Sequence, residues 1–336
     1  KFSRHKPALP LYTEDEAEAS MERFRPVEFG VETDIGHGAQ LKLRRAGHIL
    51  GAATVELKWH DRTIAFSGDL GRYNDPVLFD PEPIEQADYL LLESTYGNRL
   101  HQQGDASEVL AEIVERTVAR GGTVVIPSFA VGRAQMLTYY LWKKSGRLKS
   151  VPVYLDSPMA INASAILRHH FGDHRISPDD AREIGDMVNY VRETEASKAL
   201  TVDKMPKVII SASGMATGGR ILHHLKSYAP DPRNTIVISG FQAPGTPGAT
   251  LVAGADELRI HGRNVSIQAE VEEISMLSAH ADSNELMQWL QGFKTPPRKT
   301  FLVHGEPASS RALRERIERE LGWSCETPGH LDHFEL

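Results

Sequence analysis

Polar and apolar residues alternate through residues 39–45, 52–59 and 62–66, the period-2 pattern of strands with one buried face. The last two, separated by His60-Asp61, predict a hairpin. Residues 89–92 form a short, nearly continuous apolar run, as in a strand covered on both faces. The pattern then changes. Residues 106–120 have helical periodicity and run into Gly121-Gly122, a good helix stop. Strand-like runs at 123–126, 153–155, 208–210 and 235–238 next alternate with helix-like segments near 133–142, 160–170, 177–191 and 220–227. Such alternation predicts a parallel α/β sheet in the middle of the chain. Beyond about Glu257 come a strand-like run at 265–269, a helix at 283–290, a strand at 300–303 and a helix at 309–321.

Composition narrows the class. With 336 residues, 40% of them hydrophobic and 25% charged, the chain reads as about two ordinary globular domains. No apolar run approaches the roughly 18 residues of a membrane span, and no secretory signal is present. Cys325 is the only cysteine, so no intrachain disulfide can form, which fits a reducing cytoplasm. The formal net charge of −7 weighs against broad electrostatic capture of nucleic acid. It leaves room for an enzyme whose metal ions and a local basic groove meet phosphates. The chain starts at Lys1, and its first ten residues do not read as a natural start, so upstream sequence is expected.

Five short segments place a metal-competent side chain after an apolar run or in a Gly-rich turn: AGHILG with His48, SGDLGR with Asp69, LESTYG with Glu93, SAHAD with His280 and VHGE with His304. Loops at strand ends hold side chains out from a rigid sheet, and imidazoles with carboxylates are zinc ligand types. Each has a plainer reading. A single histidine among 15 is more often a surface or hydrogen-bonded residue, and Asp69 between Gly68 and Gly71 suits a turn. Glu93, ending an apolar strand, is harder to dismiss, because a carboxylate there is costly unless paired or solvated.

Two further loops, 127–133 (PSFAVGR) and 211–220 (SASGMATGGR), each follow a strand and open a helix. Free backbone N–H groups at helix starts, with hydroxyls and an arginine, suit phosphate oxygens. Ser128, Arg133, Ser213, Gly214, Thr217 and Arg220 are the candidate phosphate-binding residues. Turn and cap chemistry explains the same residues equally well, and Arg133 could pair inside the fold. Asp156-Ser157-Pro158-Met159 ends another strand and could be only a helix cap with Pro at the first turn.

Taken in order, these segments resemble the β-CASP family of metallo-β-lactamase-fold nucleases. AGHILGAA is similar to its third metal motif, SGDLGR to its fourth, LLLESTYGNR to motif A, SAHADSNEL to motif B and LVHGE to motif C. PSFAVGRAQ, LDSPMA, SASGMATGGR and GFQAPGTPG are typical of its RNA-processing branch, which includes RNase J and the cleavage-and-polyadenylation endonuclease. The family's second motif, His-x-His-x-Asp-His, is not in this sequence. It is expected upstream, so this fragment alone is expected to bind zinc poorly and to be inactive.

The resemblance implies an α/β fold: an incomplete metallo-β-lactamase αβ/βα sandwich from residues 1–96 and 257–336, with a parallel α/β β-CASP insert at 97–256. It implies a zinc-dependent ribonuclease that hydrolyses phosphodiester bonds with two Zn2+ ions, leaving 5′-phosphate and 3′-hydroxyl ends. His48, Asp69 and His304 are then metal ligands, with Asp69 bridging. His280 is the general acid, oriented by Glu93. The expected partner is single-stranded RNA, cut endonucleolytically with 5′-exonuclease action as an open question, and a homodimer is likewise open. The alternatives are a DNA nuclease, another hydrolase of the same fold, or a non-catalytic RNA-processing subunit. The family's DNA-acting branch tends to carry valine where His280 stands.

Overall fold

The computed structural model describes residues 11–148 and 151–336, so residues 1–10 of the expected first domain lie outside the described residues. The strands run in chain order as β1 Thr33–Gly36, β2 Ala39–Arg45, β3 Ala53–Trp59, β4 Arg62–Phe66, β5 Tyr89–Glu93, β6 Val124–Pro127, β7 Val153–Asp156, β8 Val188–Tyr190, β9 Val208–Ser211, β10 Thr235–Ile238, β11 Glu257–Ile260, β12 Arg263–Ser266, β13 Glu270–Glu273, β14 Lys299–Val303 and β15 Cys325–Glu326. The α-helices are α1 Glu14–Met21, α2 Ala106–Ala119, α3 Arg133–Lys143, α4 Pro158–Leu167, α5 Pro178–Met187, α6 Thr194–Val202, α7 Ile221–Tyr228, α8 Pro247–Val252, α9 Ser283–Leu290 and α10 Pro307–Leu321.

One sheet has the order β1-β2-β3-β4-β5-β14-β15. Its first four strands are antiparallel, with β3 and β4 forming the expected hairpin. From β4 onward the pairing is parallel. One face is covered by α9 and α10: Leu286, Met287, Trp289 and Leu290 pack with Leu313 and Ile317 over Leu90, Leu92 and Leu302. All seven residues of β2 are only half-buried.

The second sheet, β13-β10-β6-β9-β7-β8, is parallel throughout. Its strands divide their side chains between two cores. Val124, Ile126 and Val237 face α2, α3, α4 and α5, while Val125, Ile236 and Ile238 face α7 and α8. This double coverage explains the unbroken apolar runs of β6, β9 and β10. Among the described residues no helix is long and apolar enough to cross a membrane.

Two expectations need correction. The helix expected over 177–191 ends at Met187, and Val188–Tyr190 instead pairs with β7 as an edge strand. Its β-branched and aromatic residues favour that pairing. The expected strand at 265–269 is the hairpin strand β12, paired with β11. The segment from Glu257 to Glu273 packs with the second sheet. β13 pairs in parallel with β10, and the β11–β12 hairpin packs through Leu258, Ile260 and Val265 onto the same core as α7. The parallel unit therefore runs through Glu273. The charged Glu-Val-Glu-Glu of β13 hides this, because an edge strand with half-exposed faces needs no apolar run.

Candidate active site

The five metal-competent side chains come from loops at or beside strand ends of the first sheet. His48 follows β2 and Asp69 follows β4. Their loops meet backbone to backbone: Gly71 donates its N–H to the Ala46 carbonyl at 2.7 Å. A Cβ on Gly71 would sit 1.9 Å from the Gly47 carbonyl oxygen, so only glycine lets the loops approach this closely. Glu93 ends β5 and is 1% exposed. It accepts the Leu70 N–H at 2.6 Å. Val303, the last residue of the neighbouring β14, is its register partner, which sets His304 beside it. His280 precedes α9, whose N-terminus is fixed by a capping box of Asp282 and Glu285.

These residues converge. His48 Nε2 lies 3.8 Å from an Asp69 carboxylate oxygen, and His304 Nε2 lies 3.3 Å from the other. The rings of His48 and His280 are 4.3 Å apart, and those of His280 and His304 6.0 Å. Donor atoms of His48, Asp69 and His280 all lie within 4.8 Å of one another. His280 Nδ1 is 3.1 and 3.2 Å from the two Glu93 oxygens. That contact commits Nδ1–H to the carboxylate and leaves Nε2 for other chemistry.

The two imidazoles are tuned in opposite directions. Burial and the neighbouring His280 push the His48 pKa below its ordinary value. The ring is thus neutral, the form a metal requires. Burial also disfavours the His280 imidazolium, but the hydrogen bond and charge of Glu93, with the charge of Asp69, outweigh it and raise the pKa. A neutral imidazole, a half-exposed carboxylate and a second imidazole converging from separate loops fit zinc in kind and geometry. The Nδ1 of His48 is buried and has no hydrogen-bond partner among the described residues.

Sequence patterns gave no reason to single out His101. Its ring Nε2 lies 2.9 Å from the His280 carbonyl, and its backbone N–H donates to Asp282 at 2.9 Å. It pins both ends of the short segment carrying His280. A lone histidine eight residues past Glu93 has no spacing signal that could have found it.

The phosphate candidates divide. Ser128 is buried and its hydroxyl donates to the Phe129 carbonyl. Arg133 is buried beneath the cleft, where its guanidinium donates to the Ser239 carbonyl. Burial lowers its pKa to about 10. Ser213 and Thr217 stand closer to solvent, their hydroxyls 3.1 Å apart, beside buried Gly214. Arg220 pairs with Asp156 at 2.7 Å and donates to the Val191 and Arg192 carbonyls. Those bonds tie its Nη1 and Nη2 into the insert. The segment does cap α4, with Ser157 as the cap and Pro158 in the first turn, and Asp156 also binds His224 and Ser197, each at 2.6 Å.

Two family profiles match the chain: the Beta-Casp domain over residues 134–251 and the Zn-dependent metallo-hydrolase RNA specificity domain over residues 264–328. A protein named ribonuclease TTHA0252, from Thermus thermophilus, is 39% identical over 313 residues, covering 90% of this chain and 71% of that one. The chain belongs to the β-CASP family of metallo-hydrolases. Other similar proteins are an RNase J-like protein of Methanocaldococcus jannaschii, 32% identical over 92% of this chain and 74% of that one, and transcription termination factor FttA of Pyrococcus abyssi, 31% identical over 97% and 53%. The chain thus spans about three-quarters of the first two and about half of the third. The two sheets are the family's metallo-β-lactamase layer and its β-CASP insert, and the metal-competent cluster sits on the former.

Proposed function

We propose that this protein is a zinc-dependent ribonuclease that hydrolyses RNA phosphodiester bonds where the first sheet faces the parallel unit. We place the boundaries of that unit near Gly97 and Glu273. The observation that carries the reading is the Glu93–His280 pair, aligned at 3.1 Å beside the His48, Asp69 and His304 donors. A carboxylate-held imidazole also serves as a metal ligand, and His280 lies within 4.8 Å of the His48 and Asp69 donors, so the zinc content of His280→Ala separates acid from ligand.

His48, Asp69 and His304 would hold the zinc. When bound, zinc supplies Lewis acidity toward water and the phosphate oxygens. Glu93 orients the His280 ring and favours its charged form. Nε2 is then the proton donor to the leaving oxygen, and the products carry 5′-phosphate and 3′-hydroxyl ends. Three donors fall short of the roughly four ligands that each zinc takes. The reading therefore requires further donors, of the His-x-His-x-Asp-His kind, beyond those named here. Ser213, Gly214 and Thr217 are proposed to meet backbone phosphates at the cleft rim. Arg133 contributes a fixed positive charge beneath it, and Arg220 takes no part.

The test is cleavage of matched single-stranded RNA and DNA oligonucleotides by the full-length, zinc-loaded protein, with analysis of the new ends. RNA cut to 5′-phosphate and 3′-hydroxyl termini, with DNA left intact, supports the reading. Equal cutting of DNA would favour a DNA nuclease. No cutting at full zinc occupancy would favour a non-catalytic subunit.

A further inference from the structure

The loop between β6 and α3 is inside out. Its polar side chains, Ser128 and Arg133, are buried, while Phe129 is 48% exposed and Val131 42% exposed. Opposite them Met159, at the start of α4, is 66% exposed. Single exposed apolar residues need no explanation. These three, however, line one cleft of about 450 Å³, whose wall also carries His48, Asp69 and His280. That volume lies within the roughly 300–1,000 Å³ of ligand pockets.

The Phe129 ring is held, not loose. Ser128 N–H donates to the Ser211 carbonyl at 3.0 Å, and the Phe129 carbonyl accepts the Ala134 N–H at 3.2 Å. The ring lies against Gly214, where a Cβ would fall 2.7 and 2.8 Å from two of its carbons. Glycine at 214 thus lets the aromatic ring rest on backbone while its other side faces the cleft.

Resting on the ribonuclease reading above, we propose that Phe129 is a stacking platform for the substrate nucleobase adjacent to the scissile phosphate, with Gly214 as the residue that positions its ring. A phosphate brought to Asp69 and His280 carries its own nucleosides into the same cleft. Every base has a π-face, so stacking there holds any sequence. The chain's net charge of −7 denies it general attraction for RNA, and an uncharged contact that grips the base does not depend on such attraction. The apolar patch sits within the cleft beside the metal donors, which suits a flat base better than a protein surface.

The experiment uses the full-length protein carrying His280→Ala to stop turnover, and a short single-stranded RNA with 2-aminopurine walked through each position. Stacking quenches that fluorophore. One position beside the cut should be quenched. Phe129→Ala should abolish the quench and weaken binding roughly 5- to 150-fold, the span of base–aromatic stacking. Phe129→Tyr should keep both, and Phe129→Leu should behave like alanine. Gly214→Ala, which keeps the ring but displaces it, should reduce the quench. Circular dichroism checks that each variant is folded. If Phe129→Leu binds and quenches like the parent, or no position is quenched in bound RNA, the stacking inference is overturned while the ribonuclease reading stands. If the parent protein binds no RNA, the ribonuclease reading fails first.

Discussion

Two buried carboxylate–imidazole pairs sit at strand ends of the two sheets, and they invite comparison. Glu93 ends β5 and meets His280 at 3.1 Å, and Asp156 ends β7 and meets His224 at 2.6 Å. The chemistry is the same and the surroundings differ. Asp156 and His224 are both fully buried, with Ser197 and Arg220 also bound to the carboxylate. His280 keeps part of its ring open to the cleft, beside Asp69 and His48. A hydrogen-bonded pair sealed on all sides can only hold the fold together. The same pair with one nitrogen left facing a cavity can pass a proton. Access, not the pair itself, separates structure from catalysis.

The sharpest test of this contrast is turnover. In the full-length, zinc-loaded protein, His280→Ala should lower single-turnover cleavage about 100- to 10,000-fold, the range for loss of a general acid, with zinc content nearly intact. His304→Ala should instead lower zinc content, read by atomic emission. Equal zinc loss in both variants would erase the division between acid and ligand.

Stability should show the opposite ranking. Asp156→Ala strands His224 and Arg220 in the interior, and removing one partner of a buried pair costs about 3–5 kcal/mol. Glu93→Ala should cost less, because His280 can turn to solvent. Urea denaturation measures both, and a Glu93 loss as large as the Asp156 loss would break the comparison.

The pairs should also respond to pH in opposite senses. In metal-free protein the raised His280 pKa stabilises the fold fully below the unfolded value of about 6.5. That contribution is lost as pH rises through the higher folded value. The stability gap between the parent and Glu93→Gln should therefore shrink from pH 6 to pH 9. Burial alone would raise the Asp156 pKa, but hydrogen bonds from His224, Ser197 and Arg220 outweigh it and hold it low. Its contribution is present above about pH 3.9 and disappears only as the solution is acidified through its folded value.

The smallest expected effect is Arg220→Lys. It keeps a charge for Asp156 but loses donors to the Val191 and Arg192 carbonyls, about 1 kcal/mol of stability. RNA affinity and its salt dependence should not move. Weakened RNA binding would restore Arg220 to the phosphate-binding set.

His48, Asp69, Glu93, His280 and His304 could all be singled out in the sequence because each stands at the end of an apolar run or in a Gly-rich turn, where a polar residue must have a reason. The helices and strands around them were legible for the same cause, through periodicity. What stayed hidden was direction. Nothing in Pro127-Ser128-Phe129 says that the serine turns in and the phenylalanine out, because the turn is set by contacts to Ser211 and Gly214, more than 80 residues away. The pairing of Arg220 was hidden likewise: its partner Asp156 lies 64 residues upstream. β13 was hidden because its membership of the parallel sheet comes from β10 and not from its own residues.

The adjacency of β5 and β14 has a consequence for how the molecule is made. Ser94 bonds the Val303 carbonyl across 209 residues of chain. At the usual pace of about 5–20 residues per second, a ribosome takes roughly 10–40 seconds to travel between them. Through that interval β5 presents a bare edge to the cell, and bare edges recruit strange strands. The parallel unit is synthesised in the meantime and carries its own two cores, so it can close before its host sheet does. Nascent chains stalled before residue 299 should therefore resist proteolysis within residues 106–273 while the flanking β1–β5 segment is still cut, and His304 can join His48, Asp69 and Glu93 only after β14 has been made.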